Sequence, residues 1–212
     1  PQNPKTPLCM YANVICKKNG LGGLSDHSLE IPYVSKIVDS LIIIGSEDKD
    51  LLQQHRDSYK GSVIGTHSGT FHCDEVLACT MLLYTERFAK SMIVSLVIEV
   101  LDTLDILVDV GAEYDAEKLR LDHHQRSFTD TWNGEDKYKG IKLSSAGLVY
   151  RHFGKEVIKN ATKSTWGTDL TDQQLDLIYK KLYNKLILEV DAIDNGVSEA
   201  PEMRFFITSG LA

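Results

Sequence analysis

Residues 104–126 read LDILVDVGAEYDAEKLRLDHHQR. Two short apolar runs sit in this stretch, and each ends in chemistry. The first, Leu104–Val110, carries Asp109 and stops at Gly111; the second, Lys118–Leu121, runs straight into Asp122-His123-His124. Runs of this length, rich in Val, Ile and Leu and closed by turn residues, predict strands. Working outward, Ser62–Thr66 and Ile93–Val100 predict two more. Helical spacing marks Cys73–Phe88, with Val76, Leu77, Met81 and Leu83 on its stripe, and Ser144–Phe153, with a Ser cap and a break at Gly154 or nearby polar residues. The clearest helix is Thr171–Ala192. Its apolar stripe follows Leu175, Ile178, Leu182, Leu186, Val190 and Ile193, and Asn195-Gly196 ends it. Strands alternating with helices predict an α/β fold, a mostly parallel, doubly wound sheet with helices on both faces.

In an open parallel sheet, ligands bind beyond the carboxyl ends of the strands. His67 follows the first readable strand, with His72 and Asp74 close behind. Asp109 ends another, and Asp122, His123 and His124 end a third. Neighbouring strands lie ~4.8 Å apart, so their ends can gather these side chains around two ions separated by ~3.5–4 Å. Mixed carboxylates and imidazoles suit Mn²⁺, Mg²⁺ or Zn²⁺. Taken singly, Asp109 is an ordinary turn former and His67 or His72 an ordinary loop histidine. Asp122-His123-His124 is harder to explain that way, because it sets costly polar groups beside the core.

Other residues leave two readings open. Asp191 points well away from the stripe of its helix and Asp194 lies nearer the edge; each is either a ligand or a solvated acid. Ser144-Ser145-Ala146-Gly147 opens a helix whose free N–H groups suit a phosphate, or Ser144 is a simple cap. Arg126 is a phosphate clamp or a surface residue. Trp132 and Trp166 read as partly buried anchors, and Cys73 as a buried helix cysteine.

Bulk properties set bounds. The chain has 212 residues, 23 Lys and Arg against 30 Asp and Glu, and a formal charge of −7. It does not advertise a basic face for long nucleic acid, although metals can neutralise a phosphorylated substrate locally. The cysteines Cys9, Cys16, Cys73 and Cys79 form no C-x₂-C pair, which suits reduced thiols in an intracellular compartment. No apolar run has the length of a membrane span. Residues 1–60 read as an extension or small subdomain of unknown role, with a strand at Ser40–Ile44, a helix at Glu47–Tyr59 and His27 and His55 on the surface. The chain does not begin with Met, so a targeting segment is expected to have been removed.

Ordered motifs then carry a resemblance: Ile64-Gly-Thr-His-Ser-Gly-Thr-Phe-His-Cys-Asp-Glu75, Val108-Asp-Val-Gly111, Glu113-Tyr-Asp115, Asp122-His-His-Gln-Arg-Ser-Phe128, Lys142-Leu-Ser-Ser-Ala-Gly-Leu148, His152-Phe-Gly154 and Glu189-Val-Asp-Ala-Ile-Asp-Asn-Gly196. Together they resemble the melanocyte-proliferating-gene-one family of the DHH phosphoesterase superfamily. The resemblance implies a DHH domain over 61–212, truncated at its end, and a second, C-terminal domain missing from this chain. It implies metal-dependent phosphodiester hydrolysis, 3′–5′ on RNA or short oligonucleotides, in nucleus or mitochondrion, with Mn²⁺ as the expected ion. Carried over by motif, the metal ligands are His67, His72, Asp74, Asp109, His123 and Asp191, with Asp194 the competitor. Asp109, Asp122, His123, His124 and Arg126 are the catalytic set, with His124, Arg126, Ser144 and Ser145 near the phosphate. The usual first motif, His-x₃-Asp-x-Asp, is here His67-x₄-His72-x-Asp74. A small-phosphate hydrolase and a non-catalytic metal-binding module are the alternatives.

Overall fold

Short apolar runs become strands here, and the polar residues that stop them become loops or helix starts. The computed structural model describes residues 41–42, 57, 61–96, 98–134 and 140–197. The chain divides into two compact units, Pro1–Leu41 and Ile42–Ala212. The expectations for Glu47–Tyr59, His27, His55, Cys9, Cys16 and the chain's last residues lie outside the described residues.

The strands are β1 (Leu41–Ile42), β2 (Val63–His67), β3 (Met92–Leu96), β4 (Ile106–Val108), β5 (Tyr114–Asp115) and β6 (Arg120–Leu121). Their order in the sheet is β1-β3-β2-β4-β6-β5. The β2–β3, β2–β4 and β4–β6 pairs are parallel, whereas β5 pairs antiparallel with β6. Among the described residues the α-helices are α1 (Cys73–Leu82), α2 (Ser145–Trp166), α3 (Asp172–Leu182) and α4 (Leu188–Asp194). This is an α/β fold with a mostly parallel sheet.

Alternation along the strands sets the two faces. Val63, Met92, Val94 and Leu107 pack with Leu101 and Leu104 in one buried cluster. Leu101 belongs to a 3₁₀ segment, Ile98–Thr103, that replaces the expected second half of the Ile93–Val100 strand. A Cβ on Gly65 would stand 2.4 Å from a Leu104 methyl and 2.8 Å from one of Leu107, so glycine lets that cluster close over the central strand.

Two helix expectations change. Helix α2 continues through Gly154 to Trp166 and ends on Gly167, whose φ of 65° is left-handed, a common helix stop. Gly154 does not break it, because this glycine serves packing. A Cβ there would meet the Tyr150 and Tyr179 rings at 2.8–2.9 Å. Those rings stack at 4.9 Å, and Trp132 stacks on Tyr183 at 3.7 Å. Trp132 is therefore fully buried, while Trp166 is 73 % exposed and anchors nothing.

The expected Thr171–Ala192 helix is interrupted by a π-helical turn over Tyr183–Ile187. Such a turn inserts one residue into the repeat and rotates the next segment by roughly 100°. The buried positions move from Leu182 and Leu186 to Tyr183 and Ile187. Past the turn, Ile193 is exposed and Asp191 is completely buried, the reverse of the sequence expectation.

Candidate metal centre

Asp109 sits at the end of β4 in the left-handed region, with φ 62°. Asp accepts that conformation more readily than most residues, and strain of this kind gathers at functional sites. Its buried carboxylate faces two ways. Oδ2 lies 3.6 Å from His67 Nε2 at the end of β2. Oδ1 lies 3.3 Å from His123 Nε2 and 3.6 Å from His124 Nδ1, both beyond β6. Ser145 Oγ donates to Oδ1 at 2.9 Å. The parallel β2-β4-β6 order places the three strand ends side by side, as the sequence reading expects.

Two further sets of ligating atoms flank Asp109. His67 Nε2 is 2.8 Å from Glu75 Oε1, and His72 joins His67, Glu75 and Asp109 in a group whose donor atoms lie within 4.8 Å of one another. On the other side, His123 Nε2 is 3.2 Å from Asp194 Oδ2 and 3.7 Å from Asp74 Oδ2. His123 Nε2, Asp194 Oδ2, Asp74 Oδ1 and Glu75 Oε2 are buried and make no hydrogen bond. Buried polar atoms without partners are costly. Converging carboxylate oxygens and imidazole nitrogens of this kind fit a divalent cation.

The structure brings His67, His72, Asp74, Asp109, His123, His124 and Asp194 together. It does not bring Asp191 to them. Asp191 Oδ1 accepts from Ser144 N at 2.9 Å and Ser144 Oγ at 2.7 Å, and Oδ2 accepts from Tyr183 Oη at 2.9 Å. Both oxygens are used, and a Cβ on Gly147 would sit 2.4 Å from Oδ1. The π-helical turn aims Asp191 at the start of α2 and leaves Asp194 for the His123 group.

Ser144 caps α2, its Oγ accepting from Gly147 N, and both serines also hold the protein's own carboxylates. Ser144 and Ser145 are fully buried. Ser144 Oγ is spent on Asp191, Ser145 Oγ on Asp109, and Ser145 N donates to Asp74 Oδ2 at 3.3 Å. The start of α2 thus holds the protein's own carboxylates, where a substrate phosphate was expected. Asp122 is occupied as well: Oδ1 accepts from His124 N at 3.1 Å and pairs with its Nδ1 at 2.7 Å, and Oδ2 accepts from Ala112 N at 2.6 Å. It positions His124. Arg126 is exposed on the following turn and does not line the cavity. Cys73 is only partly buried.

An open cavity of about 410 Å³ is lined by His67, His72, Asp109, Gly111, Asp122 and His124, among others. A second, of about 360 Å³, is lined by His72, Asp74, Val190, Ile193 and Asp194. Each is of a size to take a small ligand. Glu75 went unassigned in the sequence reading. Its signal was faint, because Glu three residues after a helix cap is an ordinary capping partner.

Burial dominates the site's electrostatics. It pushes Glu75, beside Asp74, up to about 8, Asp191 up to about 7 and Asp194, beside Asp74 and Asp109, up to about 6. Burial pulls His67 and His123 down, but the Ser68 carbonyl and Glu75 for His67, and Asp109, Asp194 and Asp74 for His123, raise both overall. Asp109 is lowered: burial lifts it, and the adjacent His123 imidazole, the Ser145 hydrogen bond and the His124 imidazole outweigh that. The five raised groups hold protons more tightly in the fold than unfolded. Their stabilisation is present at low pH and lost as pH rises through the folded values. His152, lowered by burial and Arg151, opposes them. The chelated chain is therefore expected to melt at falling temperature from about pH 5 to about pH 8. The gain from added Mn²⁺ should grow over the same range, because ligands must shed protons to bind. Thermal melts with and without Mn²⁺ check this; a chelated chain that gains stability across the range contradicts it.

Comparison with known proteins places the chain. The family model MYG1_exonuc, described as "Uncharacterised protein family (UPF0160)", matches residues 63–211. The chain is 40 % identical to a mouse protein named MYG1 exonuclease over 190 residues, 87 % of this chain and 49 % of the mouse protein. It is 44 % identical to human MYG1 exonuclease over 154 residues, 70 % of this chain and 40 % of that protein. To a Dictyostelium discoideum MYG1 protein it is 47 % identical over 139 residues, 65 % of this chain and 40 % of that protein. The chain spans about half the length, or less, of these curated relatives. No solved structure matches it. With a family model covering residues 63–211, the chain belongs to the MYG1 exonuclease family.

Proposed function

We propose that this chain carries the catalytic centre of a metal-dependent phosphodiesterase of the DHH superfamily, a 3′–5′ exonuclease acting on RNA or short oligonucleotides. The observation that carries this reading is Asp109, whose two oxygens face two separate sets of imidazoles and carboxylates. The relatives' name, exonuclease, supports the substrate class. His67, His72 and Asp109 would hold one cation, and Asp74, His123, Asp194 and Asp109 a second, with Mn²⁺ the expected ion. Bound there, divalent cations supply Lewis acidity for phosphoester hydrolysis.

The chain's own residues prepare the reaction. Ser145 fixes Asp109, and Asp122 fixes His124 through Nδ1. That leaves Nε2 of His124, a residue lining the cavity, as the ring nitrogen Asp122 does not engage, able to hold or deliver a proton at a phosphate oxygen. Arg126, exposed on the adjoining turn, would contact a more distant phosphate of a longer strand. By family resemblance the protein works in nucleus or mitochondrion; no helix among the described residues is long and apolar enough to cross a membrane.

The test is degradation of 5′-labelled RNA by the full chain. A ladder shortening from the 3′ end is expected with Mn²⁺ and none with a chelator. His123→Ala should reduce the rate by about 10²-fold or more. Undiminished cleavage in chelator, or by His123→Ala, would overturn the reading. Turnover of pyrophosphate in preference to oligonucleotides would favour a small-phosphate hydrolase.

A further inference from the structure

We propose that Glu75 is a metal ligand, completing with His67, His72 and Asp109 Oδ2 a coordination group distinct from that of Asp74, His123 and Asp194. This rests on the metal-dependent reading above and extends it. Glu75 lies in the first turn of α1 with its side chain 1 % exposed. Its Oε1 accepts the backbone N–H of His72, the cap of that helix. Capping needs one oxygen only. The other, Oε2, is buried beside the Asp74 carboxylate with no donor on it, and a cap alone does not account for two acidic side chains buried side by side.

His67 sharpens the point. Its Nδ1 is 3.0 Å from the Ser68 carbonyl oxygen, a group that can only accept. This contact makes Nδ1 the donor and Nε2 an acceptor in the neutral ring. Nε2 then faces Glu75 Oε1 at 2.8 Å and Asp109 Oδ2 at 3.6 Å. With the imidazole neutral and both carboxylates ionised, three acceptors converge with no donor between them, and His72 lies beside them, its ring centroid 5.6 Å from that of His67. A divalent cation satisfies all of them together.

The experiment is Mn²⁺ binding to the full chain, read as stoichiometry and affinity by calorimetry and by Mn²⁺ electron paramagnetic resonance. Glu75→Gln keeps an oxygen for the cap and removes the carboxylate charge from the group. The wild type is expected to bind two ions, and Glu75→Gln to bind one, with its other affinity lowered on the order of a hundredfold or more, beyond the usual effect of an outer partner. Its metal-free melting temperature should not fall. Asp194→Asn should lose the other ion. If Glu75→Gln folds poorly, Glu75→Asp replaces it: a withdrawn carboxylate should weaken one ion at least about tenfold and leave the other unchanged. Two ions bound to Glu75→Gln with wild-type affinity would overturn the role of Glu75 alone. A wild-type chain that binds no Mn²⁺ would overturn the metal-dependent reading itself.

Discussion

Asp109→Asn is expected to lose both bound ions and at least about 10³-fold in phosphodiester hydrolysis, on the order of 4 kcal/mol of transition-state stabilisation. Asn is the informative substitution. It tolerates the left-handed φ of 62° seen at Asp109 and keeps one oxygen for the Ser145 hydroxyl. The fold should therefore survive, and the loss should report charge alone. Asp109 is the carboxylate that both groups of ligating side chains share, so its neutralisation would weaken both at once. His67 and His123, each raised in part by Asp109, should titrate at lower pH in the variant. Metal titration and RNA turnover, with the imidazole resonances followed by NMR, check the result. Two ions bound normally by Asp109→Asn would remove Asp109 from the centre of the mechanism.

Asp191→Ala and Asp194→Ala should fail in opposite ways. Asp191 answers three buried donors, Ser144 N, Ser144 Oγ and Tyr183 Oη. Cutting it back leaves them without partners, at about 1–3 kcal/mol for each group that finds no substitute. The expected loss is about 3–5 kcal/mol, a melting temperature lower by on the order of 10 °C, with Mn²⁺ affinity of the folded fraction nearly unchanged. Asp194 has a buried oxygen without a hydrogen bond, and burial beside Asp74 raises it to about 6. Its removal should cost the metal-free chain little and abolish one ion. Equilibrium unfolding and calorimetry on both variants decide between them. An Asp191→Ala chain that melts normally and binds one ion fewer would reverse the assignment.

Much of this was legible in the sequence, for physical reasons. Strand-sized runs ending in Asp109 and in Asp122-His123-His124 announce strand ends, and parallel order brings strand ends together. Helix α2 was read too short because Gly154 looks like a stop, and only the Tyr150 and Tyr179 rings show why glycine is required there. Ser144 read either as a cap or as part of an anion site; it is the cap of α2, and with Ser145 it also holds Asp191, Asp109 and Asp74. Glu75 was overlooked because its second oxygen has meaning only in three dimensions. The motif match favoured Asp191 over Asp194 and helix geometry left both open; the π-helical turn over Tyr183–Ile187, with no plain mark in the sequence, precedes an Asp191 bound to Ser144 and an Asp194 facing His123.

The π-helical turn over Tyr183–Ile187 makes the site sensitive to counting. Which acid meets His123 depends on how many residues precede it in the helix, as much as on what those residues are. Deleting one residue between Tyr183 and Ile187 would restore a uniform α-helix and turn the segment beyond it by roughly 100°. Asp191 and Asp194 would leave their partners with no side chain in the centre altered. A frame set by one surplus residue is invisible to composition and to any substitution scan, so in this fold a one-residue gap carries more functional weight than most point changes.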